Sequence, residues 1–137
     1  MTPSDHLRSI LPDGARALIV DDSAATRRIL RSHLESLGVQ VAEAADGGEA
    51  YRKLEEKIAE TDLIFSDISM PVLDGFELCE RLRDASWYDG TPIVMVSTQS
   101  DAASVIRAFK LGADDYIPKP FEKDLLAQVI GRVLSHD

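Results

Sequence analysis

The sequence has a single cysteine and no long apolar segment, and each of these absences excludes a class of protein. Cys79 has no second cysteine to pair with, which excludes an internal disulfide. No apolar run reaches the roughly 18 residues that a membrane span requires. The start of the chain also lacks the charged, apolar and small-residue regions of a secretory signal. We therefore expect a soluble, cytoplasmic chain without membrane insertion.

Positive charge is also scarce. The chain has 15 Lys and Arg residues against 24 Asp and Glu residues, which gives a formal net charge of −9. Such a chain repels a phosphate backbone, so direct nucleic-acid binding is not expected. A short basic cluster is formed by Arg27, Arg28 and Arg31. The acid excess fits either a solvated surface or a group of carboxylates that holds a hard cation.

The chain does contain enough apolar residues for one domain, since 45% of its 137 residues are hydrophobic. Residues 1–15 include Pro3, Pro12 and Gly14 and lack a sustained period. We predict a loose leader there, with one short helical turn around residues 6–11 as an option. Residues 16–137 are predicted to form the domain.

Short apolar runs alternate with longer segments of helical period, which is typical of βα units around a parallel sheet. The predicted strands are 17–20, 39–44, 63–66, 93–96 and 115–117. Ser23 is the predicted N-cap of the first helix, and Gly38 is predicted to end it. Five helices are predicted from apolar stripes: Leu30, Leu34 and Leu37; Ala50, Leu54 and Ile58; Phe76, Cys79 and Leu82; Ala102, Val105 and Phe109; and Leu126, Val129, Ile130 and Val133. Cys79 is therefore expected in the core.

Polar residues follow four of the predicted strands: Asp21 and Asp22 the first, Asp67 the third, Ser97 the fourth and Lys119 the fifth. The carboxyl ends of parallel strands share one sheet edge, where such folds bind ligands. If the first and third strands are neighbours, the three carboxylates converge, and their repulsion favours a bound divalent cation such as Mg²⁺. A carboxylate nucleophile, a metal, an ammonium and a hydroxyl together suit phosphoryl transfer to an aspartate.

These residues resemble the signature of response-regulator receiver domains over about residues 16–134: Asp21-Asp22, Asp67 with Met70-Pro71 and Asp74-Gly75, Ser97, and Lys119-Pro120. The resemblance implies an α/β, flavodoxin-like, doubly wound (βα)5 fold. Its five-stranded parallel sheet would have the order 2-1-3-4-5, which is carried over from the chemotaxis-type single-domain members of the family.

The resemblance also implies roles for individual residues. Asp67 would be the phosphoacceptor. Asp22 would bind Mg²⁺ directly and Asp21 mainly through water, while Asp67 and the backbone carbonyl of Ser69 would complete the protein ligands. The phosphoryl-binding and switching set would be Ser97, Lys119 and Tyr116. The peptide bond between Lys119 and Pro120 is a candidate cis bond.

The implied phosphodonor is a histidine kinase or a histidine phosphotransfer protein. The implied downstream partner is a protein that binds the surface formed by residues 102–110 and 116–134. Arg27, Arg28 and Arg31 are candidates for donor docking, although basic residues on a helix also occur simply as a solvated face.

The chain departs from the family pattern at and beside the hydroxyl position. Ser97 stands where threonine is commoner, and Thr98 stands where alanine or glycine is usual. Ser69 and Gln99 occupy the two tuning positions and are uncharged, so neither supplies a strong base. We hypothesise slow dephosphorylation.

Three alternatives stay open at this point. A phosphatase with an aspartyl-phosphate intermediate would share the Asp, Mg²⁺ and Lys, but Ser69 stands where such enzymes carry an acid. We therefore expect a switch rather than an enzyme. A binding module that signals without phosphorylation would not need the full acidic set. The chain would also fit a receiver cut from a longer transcriptional or cyclic-nucleotide regulator.

Overall fold

The computed structural model describes residues 2–56, 61–85, 90–99 and 101–135. In chain order the elements are α1 (Pro3–Ile10), β1 (Arg16–Val20), α2 (Ala24–Ser36), β2 (Gln40–Ala44), α3 (Gly47–Glu56), β3 (Leu63–Ser66), α4 (Gly75–Asp84), β4 (Ile93–Ser97), α5 (Ala102–Lys110), β5 (Asp115–Pro118) and α6 (Lys123–Ser135). Within the described ranges, none of the helices combines the length and the apolar character that spanning a membrane would take.

The five strands form one parallel sheet in the order β2-β1-β3-β4-β5, which confirms the predicted flavodoxin-like fold. In the register of β1 and β3, Val20 pairs with Ser66, the last residue of each strand. The next N–H group, that of Asp67, donates to the Val20 carbonyl at 2.8 Å. Asp21 and Asp67 therefore leave the sheet side by side.

Helices cover both faces of the sheet and create a separate core on each face. Leu18, Val20 and Ile64 belong to one core, whereas Ile19 and Phe65 belong to the other. Alternate residues of one strand thus point into different cores, which explains why the strands read as continuous apolar runs. Cys79 is fully buried, as predicted, and burial raises the pKa of its thiol to about 11.

The predicted ends of the first long helix, α2, are confirmed. The Ser23 hydroxyl accepts a hydrogen bond from the Thr26 N–H at 3.2 Å, which makes Ser23 the N-cap. Leu30 and Leu34 are its buried face. Gly38 follows the helix with φ of +92°, a conformation that glycine adopts without steric cost.

Residues 3–10 differ from the loose leader that the sequence predicted, because they form the 8-residue helix α1. Thr2 and Asp5 form a capping box at its start. Leu7 is fully buried in the core that includes α6. Gly131 of α6 lies against α1, since a Cβ placed on Gly131 would be 3.9 Å from side-chain atoms of both His6 and Ile10. The segment is too short to show a helical period, so its order depends on this packing. The boundary at residue 16 stays a prediction.

Helix α5 also differs from its prediction, because the proposed stripe of Ala102, Val105 and Phe109 is not its buried face. Phe109 is 46% exposed, and Ala108 is the buried residue instead. The small Ala108 lets the helix pack closely against the core, and this rotation turns Ile106 and Phe109 outward. The other predicted stripes agree with the described burial, apart from Ile58, which lies outside the described residues.

Candidate functional site

Three carboxylates meet at the carboxyl edge of the sheet, as the sequence predicted. Asp21 and Asp22 follow β1, Asp67 follows β3, and each offers an oxygen that lies within 4.8 Å of the others. Asp21 and Asp67 are 1% and 8% exposed, whereas Asp22 is exposed. The parallel pairing of β1 with β3 therefore creates an acidic pocket that opens to solvent at Asp22.

Lys119 supplies the positive charge in this pocket. Its Nζ lies 2.7 Å from Asp21 Oδ2 and 3.3 Å from Asp67 Oδ2. Burial lowers the pKa of Lys119, but the hydrogen bond to Asp21 and the charge of Asp67 outweigh burial and leave it raised. The cis peptide bond between Lys119 and Pro120 is present, as predicted.

The Asp67 carboxylate is held in place by a backbone hydrogen bond, but its negative charge is not fully compensated by nearby positive charge. Its Oδ1 accepts a hydrogen bond from the Ile68 N–H at 2.7 Å. Burial and the nearby Asp21 charge raise the pKa of Asp67, and Lys119 opposes only part of that rise. Additional positive charge beside this group would therefore stabilise its ionised form.

The pocket suits a hard divalent cation. Its three carboxylates face one ammonium, which leaves two negative charges uncompensated. Carboxylate oxygens on rigid strand ends are ligands that Mg²⁺ prefers. Both Asp21 oxygens already accept protein hydrogen bonds, from Lys119 and from the Ser23 N–H at 2.8 Å. Asp22 makes no hydrogen bond to any described residue, which leaves its carboxylate available for direct ligation.

Two further predicted residues, Ser97 and Tyr116, lie deeper beside the pocket. Ser97 is 1% exposed, and its hydroxyl accepts a hydrogen bond from the Gln99 N–H at 3.1 Å. The Tyr116 hydroxyl is buried without a hydrogen-bond partner of good geometry among the described residues. Burial raises the pKa of Tyr116, and the nearby Ser97 hydroxyl offsets part of the rise. Among the described residues, Ser97 is thus a neighbour that affects the Tyr116 hydroxyl, but the two hydroxyls are not aligned as a good hydrogen bond.

The predicted tuning residues lie at the rim of the pocket. The Gln99 side-chain amide donates to the Ser69 hydroxyl at 2.8 Å, so the two side chains hold each other. Thr98 is exposed and, with Lys119, lines a cavity of about 280 Å³ between α2 and the segment after β5. This cavity is bordered by Ile29, which is 51% exposed.

The basic cluster on α2 is mostly paired within the protein. Arg27 Nε lies 2.9 Å from Glu43 Oε1, and Arg31 Nε lies 2.6 Å from Glu43 Oε2. Among the described residues, Arg28 has no carboxylate partner and is exposed. Glu43 was not predicted as a site residue from the sequence, although a charged residue within strand β2 was an available signal.

Helix α4 approaches the pocket closely, a contact that was not predicted from the sequence. The Gly75 N–H donates to the Ile68 carbonyl at 2.8 Å, and a Cβ on Gly75 would lie 2.1 Å from the Asp67 carbonyl oxygen. The Asp-Gly pair, Asp74-Gly75, was the available signal, with Asp74 as the N-cap of α4. Helix α4 therefore begins directly against the backbone of Asp67.

Comparison with known proteins supports the resemblance to receiver domains over most of the chain. A family model described as the response regulator receiver domain matches residues 17–131. Chemotaxis protein CheY1 of Helicobacter pylori is 38% identical over 121 residues, which are 88% of this chain and 97% of CheY1.

Solved structures agree with these matches. Vibrio cholerae chemotaxis protein CheY4 has a TM-score of 0.81 at 37% identity, over 88% of this chain and 98% of that one. A chain in the CheX-CheY-BeF3-Mg²⁺ complex of Borrelia burgdorferi has a TM-score of 0.82 at 28% identity, over 87% of this chain and 88% of that one. The residues matched by the family model, 17–131, include every strand end that contributes to the acidic pocket.

Proposed function

The chain belongs to the response regulator receiver family, and on this premise we propose that it is a phosphorylation switch whose acceptor is Asp67. The observation that carries the proposal is the position of the Asp67 carboxylate. It lies within 4.8 Å of two other acidic side chains and 3.3 Å from the Lys119 ammonium. A buried carboxylate with a cation site on one side and an ammonium on the other is arranged to receive a phosphoryl group.

The proposed transfer is a substitution at phosphorus. An Asp67 carboxylate oxygen forms the new O–P bond while the P–N bond of a donor phosphohistidine breaks. The bonding electron pair leaves with the imidazole nitrogen, which takes up a proton. Asp67 needs no general base because its ionised form is already the nucleophile. The chain itself would be modified once and would not turn over substrate, so we propose that it is not an enzyme.

The surrounding residues would stabilise the charge that the transfer brings into the pocket. Asp22, Asp67 and the backbone carbonyl of Ser69 are the proposed direct Mg²⁺ ligands, and Asp21 is proposed to bind the ion mainly through water. Mg²⁺, when bound, supplies positive charge that offsets the acceptor and the phosphoryl oxygens. Lys119 lies beside Asp67 and would pair with a phosphoryl oxygen. The ammonium therefore acts where the negative charge increases.

Ser97 and Tyr116 would convert the modification into a conformational change. The Ser97 hydroxyl accepts a hydrogen bond from Gln99, so its own O–H remains able to donate to a phosphoryl oxygen. The buried Tyr116 hydroxyl has no well-aligned hydrogen-bond partner among the described residues, so a rearrangement of Ser97 toward the phosphoryl group would leave Tyr116 free to turn as well. A complete shift from 1:99 to 99:1 requires about 5.5 kcal/mol of differential stabilisation.

The proposed output surface consists of α5, β5 and α6, which adjoin Tyr116. Ile106 and Phe109 are 55% and 46% exposed on α5, and these apolar side chains would contact a downstream protein. The proposed donor, a histidine kinase or histidine phosphotransfer protein, would dock at α2 and the cavity beside Lys119. Since Arg27 and Arg31 are paired with Glu43, Arg28 and Ile29 are the side chains available there. Such partners imply a cytoplasmic location.

We predict that incubation with acetyl phosphate or phosphoramidate and Mg²⁺ adds one phosphate per chain, and that Asp67→Asn abolishes the addition. Asparagine retains the shape of the side chain but lacks the nucleophilic carboxylate oxygen. Intact-mass spectrometry measures the added phosphate directly. Asp62→Asn is the matched control, because Asp62 accepts from the Arg16 N–H at the opposite end of β1 and its loss should leave labelling unchanged.

Two results would contradict this assignment. Labelling of Asp67→Asn would place the phosphate elsewhere, and absence of label from the wild type would remove the acceptor function. Sustained release of phosphate from generic phosphomonoesters would favour the phosphatase alternative, whereas a single label that persists favours the switch.

The lifetime of the phosphorylated form is a separate prediction. We expect the phosphoryl label to last well beyond seconds. Gln99 and Ser69 are hydrogen-bonded to each other, and neither is a base that could activate a water molecule for attack on the phosphoryl group. Thr98→Ala should shorten the lifetime several-fold, since it opens the rim beside Lys119. Time-resolved intact mass after removal of the donor measures the decay. Ser32→Ala, which removes an exposed hydroxyl on α2, should not change it, and loss of the wild-type label within seconds would contradict the prediction.

A further inference from the structure

We infer that Arg27 is a positioning residue for the acidic pocket and that Glu43 holds Arg27 in place. The inference deepens the proposed function and rests on it, because the atom that Arg27 contacts belongs to the acidic pair at the end of β1. Arg27 Nη1 donates to the Asp21 backbone carbonyl at 2.6 Å. Neither Arg27 nor Glu43 offers a ligand atom to the pocket, so both act through Asp21.

The Arg27 guanidinium joins three parts of the fold. Its Nη1 contacts the loop between β1 and α2, its Nε donates to Glu43 of β2 at 2.9 Å, and its own backbone lies in α2. A guanidinium is planar and presents several donors in fixed directions. Because Glu43 and the Asp21 carbonyl occupy two of those directions, the position of one partner determines the position of the other.

Two arginine side chains hold the Glu43 carboxylate in position and favour its ionised form. Its second carboxylate oxygen accepts from Arg31 Nε at 2.6 Å. The hydrogen bond from Arg31 lowers the pKa of Glu43, and the hydrogen bond from Arg27 lowers it further. The side chains of Arg27 and Glu43 are 19% and 30% exposed, so solvent reaches this ion pair only in part. Glu43 therefore fixes the orientation of the Arg27 guanidinium.

The contact to the Asp21 carbonyl matters most for Asp22. That carbonyl is part of the peptide unit that joins Asp21 to Asp22, so fixing it also fixes the backbone from which the Asp22 side chain extends. Asp21 has further restraints, since its N–H donates to the Ala44 carbonyl at 3.1 Å and its carboxylate accepts from Ser23 and Lys119. Asp22 makes no hydrogen bond to any described residue and depends on this peptide.

Positioning and simple electrostatics predict opposite effects on cation binding. Removing a positive charge near the pocket should make Mg²⁺ bind more tightly, because less repulsion remains. Removing the hydrogen bond that orients the Asp21-Asp22 peptide should make Mg²⁺ bind less tightly. Replacement of groups that orient metal ligands typically costs ten- to a hundredfold in metal affinity. The sign of the change therefore identifies the role.

The experiment is a calorimetric titration of the unphosphorylated chain with Mg²⁺, without any phosphodonor. We expect Arg27→Met to weaken Mg²⁺ binding by about tenfold. Arg27→Lys retains the charge but cannot bridge Glu43 and the Asp21 carbonyl in the same way, so it should also bind Mg²⁺ more weakly, by a smaller factor. Arg28→Met is the matched control, because it removes the same charge from the next residue of α2. Arg28 is proposed only for donor docking, which a titration without phosphodonor does not involve, so the Mg²⁺ affinity should stay unchanged or rise slightly.

Denaturant unfolding of each variant establishes that the chain is folded under the titration conditions, and Arg27→Lys provides the test if Arg27→Met is unfolded. Wild-type affinity in a folded Arg27→Met or Arg27→Lys variant would overturn the positioning role while leaving the phosphoacceptor proposal intact. Failure of the wild type to bind Mg²⁺ would overturn the metal site on which both proposals rest.

Discussion

Gly75→Ala should destabilise the chain by about 3 kcal/mol or more and should prevent phosphorylation of Asp67. A Cβ at this position would lie 2.1 Å from the Asp67 carbonyl oxygen and 2.9 Å from Ile68 Cα, and both are backbone atoms that no rotamer change can move aside. Either α4 or the end of β3 must shift, and a shift of β3 moves the acceptor away from Lys119. Denaturant unfolding measures the loss of stability, and intact mass measures the loss of labelling.

Gly90→Ala is the matched control for this substitution. A Cβ on Gly90 would have no atom within 4 Å, and Gly90 is exposed, so the same added methyl group should change the free energy of unfolding by less than about 0.5 kcal/mol. If Gly75→Ala unfolds at the wild-type denaturant concentration and is phosphorylated to the wild-type extent, the close approach of α4 to Asp67 does not constrain the site.

Lys119→Met should lower the metal-free stability by about 3 kcal/mol at neutral pH and, at the same time, increase the affinity for Mg²⁺. The Lys119 ammonium is the positive partner of two carboxylates whose side chains are only 2% and 11% exposed. Its removal leaves these buried charges unpaired, which destabilises the folded chain. The same unpaired charges attract a divalent cation more strongly, so saturating Mg²⁺ should restore most of the lost stability.

The effect of Lys119→Met should depend on pH in a defined direction. Burial and the Asp21 charge raise the pKa of Asp67, so Asp67 loses its negative charge as the pH falls, and the variant should then approach the wild type. In the wild type, the pKa of Lys119 is raised above its usual 10.5, so deprotonation of Lys119 does not reduce its stabilising contribution below that value. The contribution should be lost as the pH rises through the raised pKa.

Urea unfolding with a metal chelator, and again with saturating Mg²⁺, tests this prediction across the pH range. Lys110→Met is the matched control, because Lys110 is an exposed lysine of α5 and its loss changes the net charge equally. Equal stability losses in the two variants, or weaker Mg²⁺ binding by Lys119→Met, would contradict the assigned role.

Much of the site was predictable because it depends on which residues end which strands. The apolar runs that lead into Asp21 and Asp67 identify two parallel strands, and parallel strands present their carboxyl ends at one edge. The convergence of the three acidic residues follows once β1 and β3 are neighbours. These runs do not determine the strand order, which the family resemblance supplied together with the roles of Ser97, Lys119 and Tyr116.

The close contacts around the site were less predictable because they depend on distances between elements. The Asp74-Gly75 pair indicates where α4 begins, but it does not give the distance between α4 and the Asp67 carbonyl. The turn at Val72 was also not predictable from the sequence. Val72 is 82% exposed and has φ of +72°, a conformation that β-branched residues rarely adopt. The Leu73 N–H donates to the Pro71 carbonyl across this residue, which closes the turn.

Local periodicity in the amino-acid sequence was sufficient to predict a parallel α/β domain and the placement of the acidic residues at strand ends, because the period of apolar residues distinguishes helices from strands covered on both faces. Periodicity does not report how an element is rotated or what it packs against. Only the tertiary structure could show that α1 packs on α6, that α5 turns Phe109 outward, and that Glu43 links Arg27 to the Asp21 backbone. Each of these depends on contacts between residues far apart in the chain, whose geometry is set by packing of the whole domain.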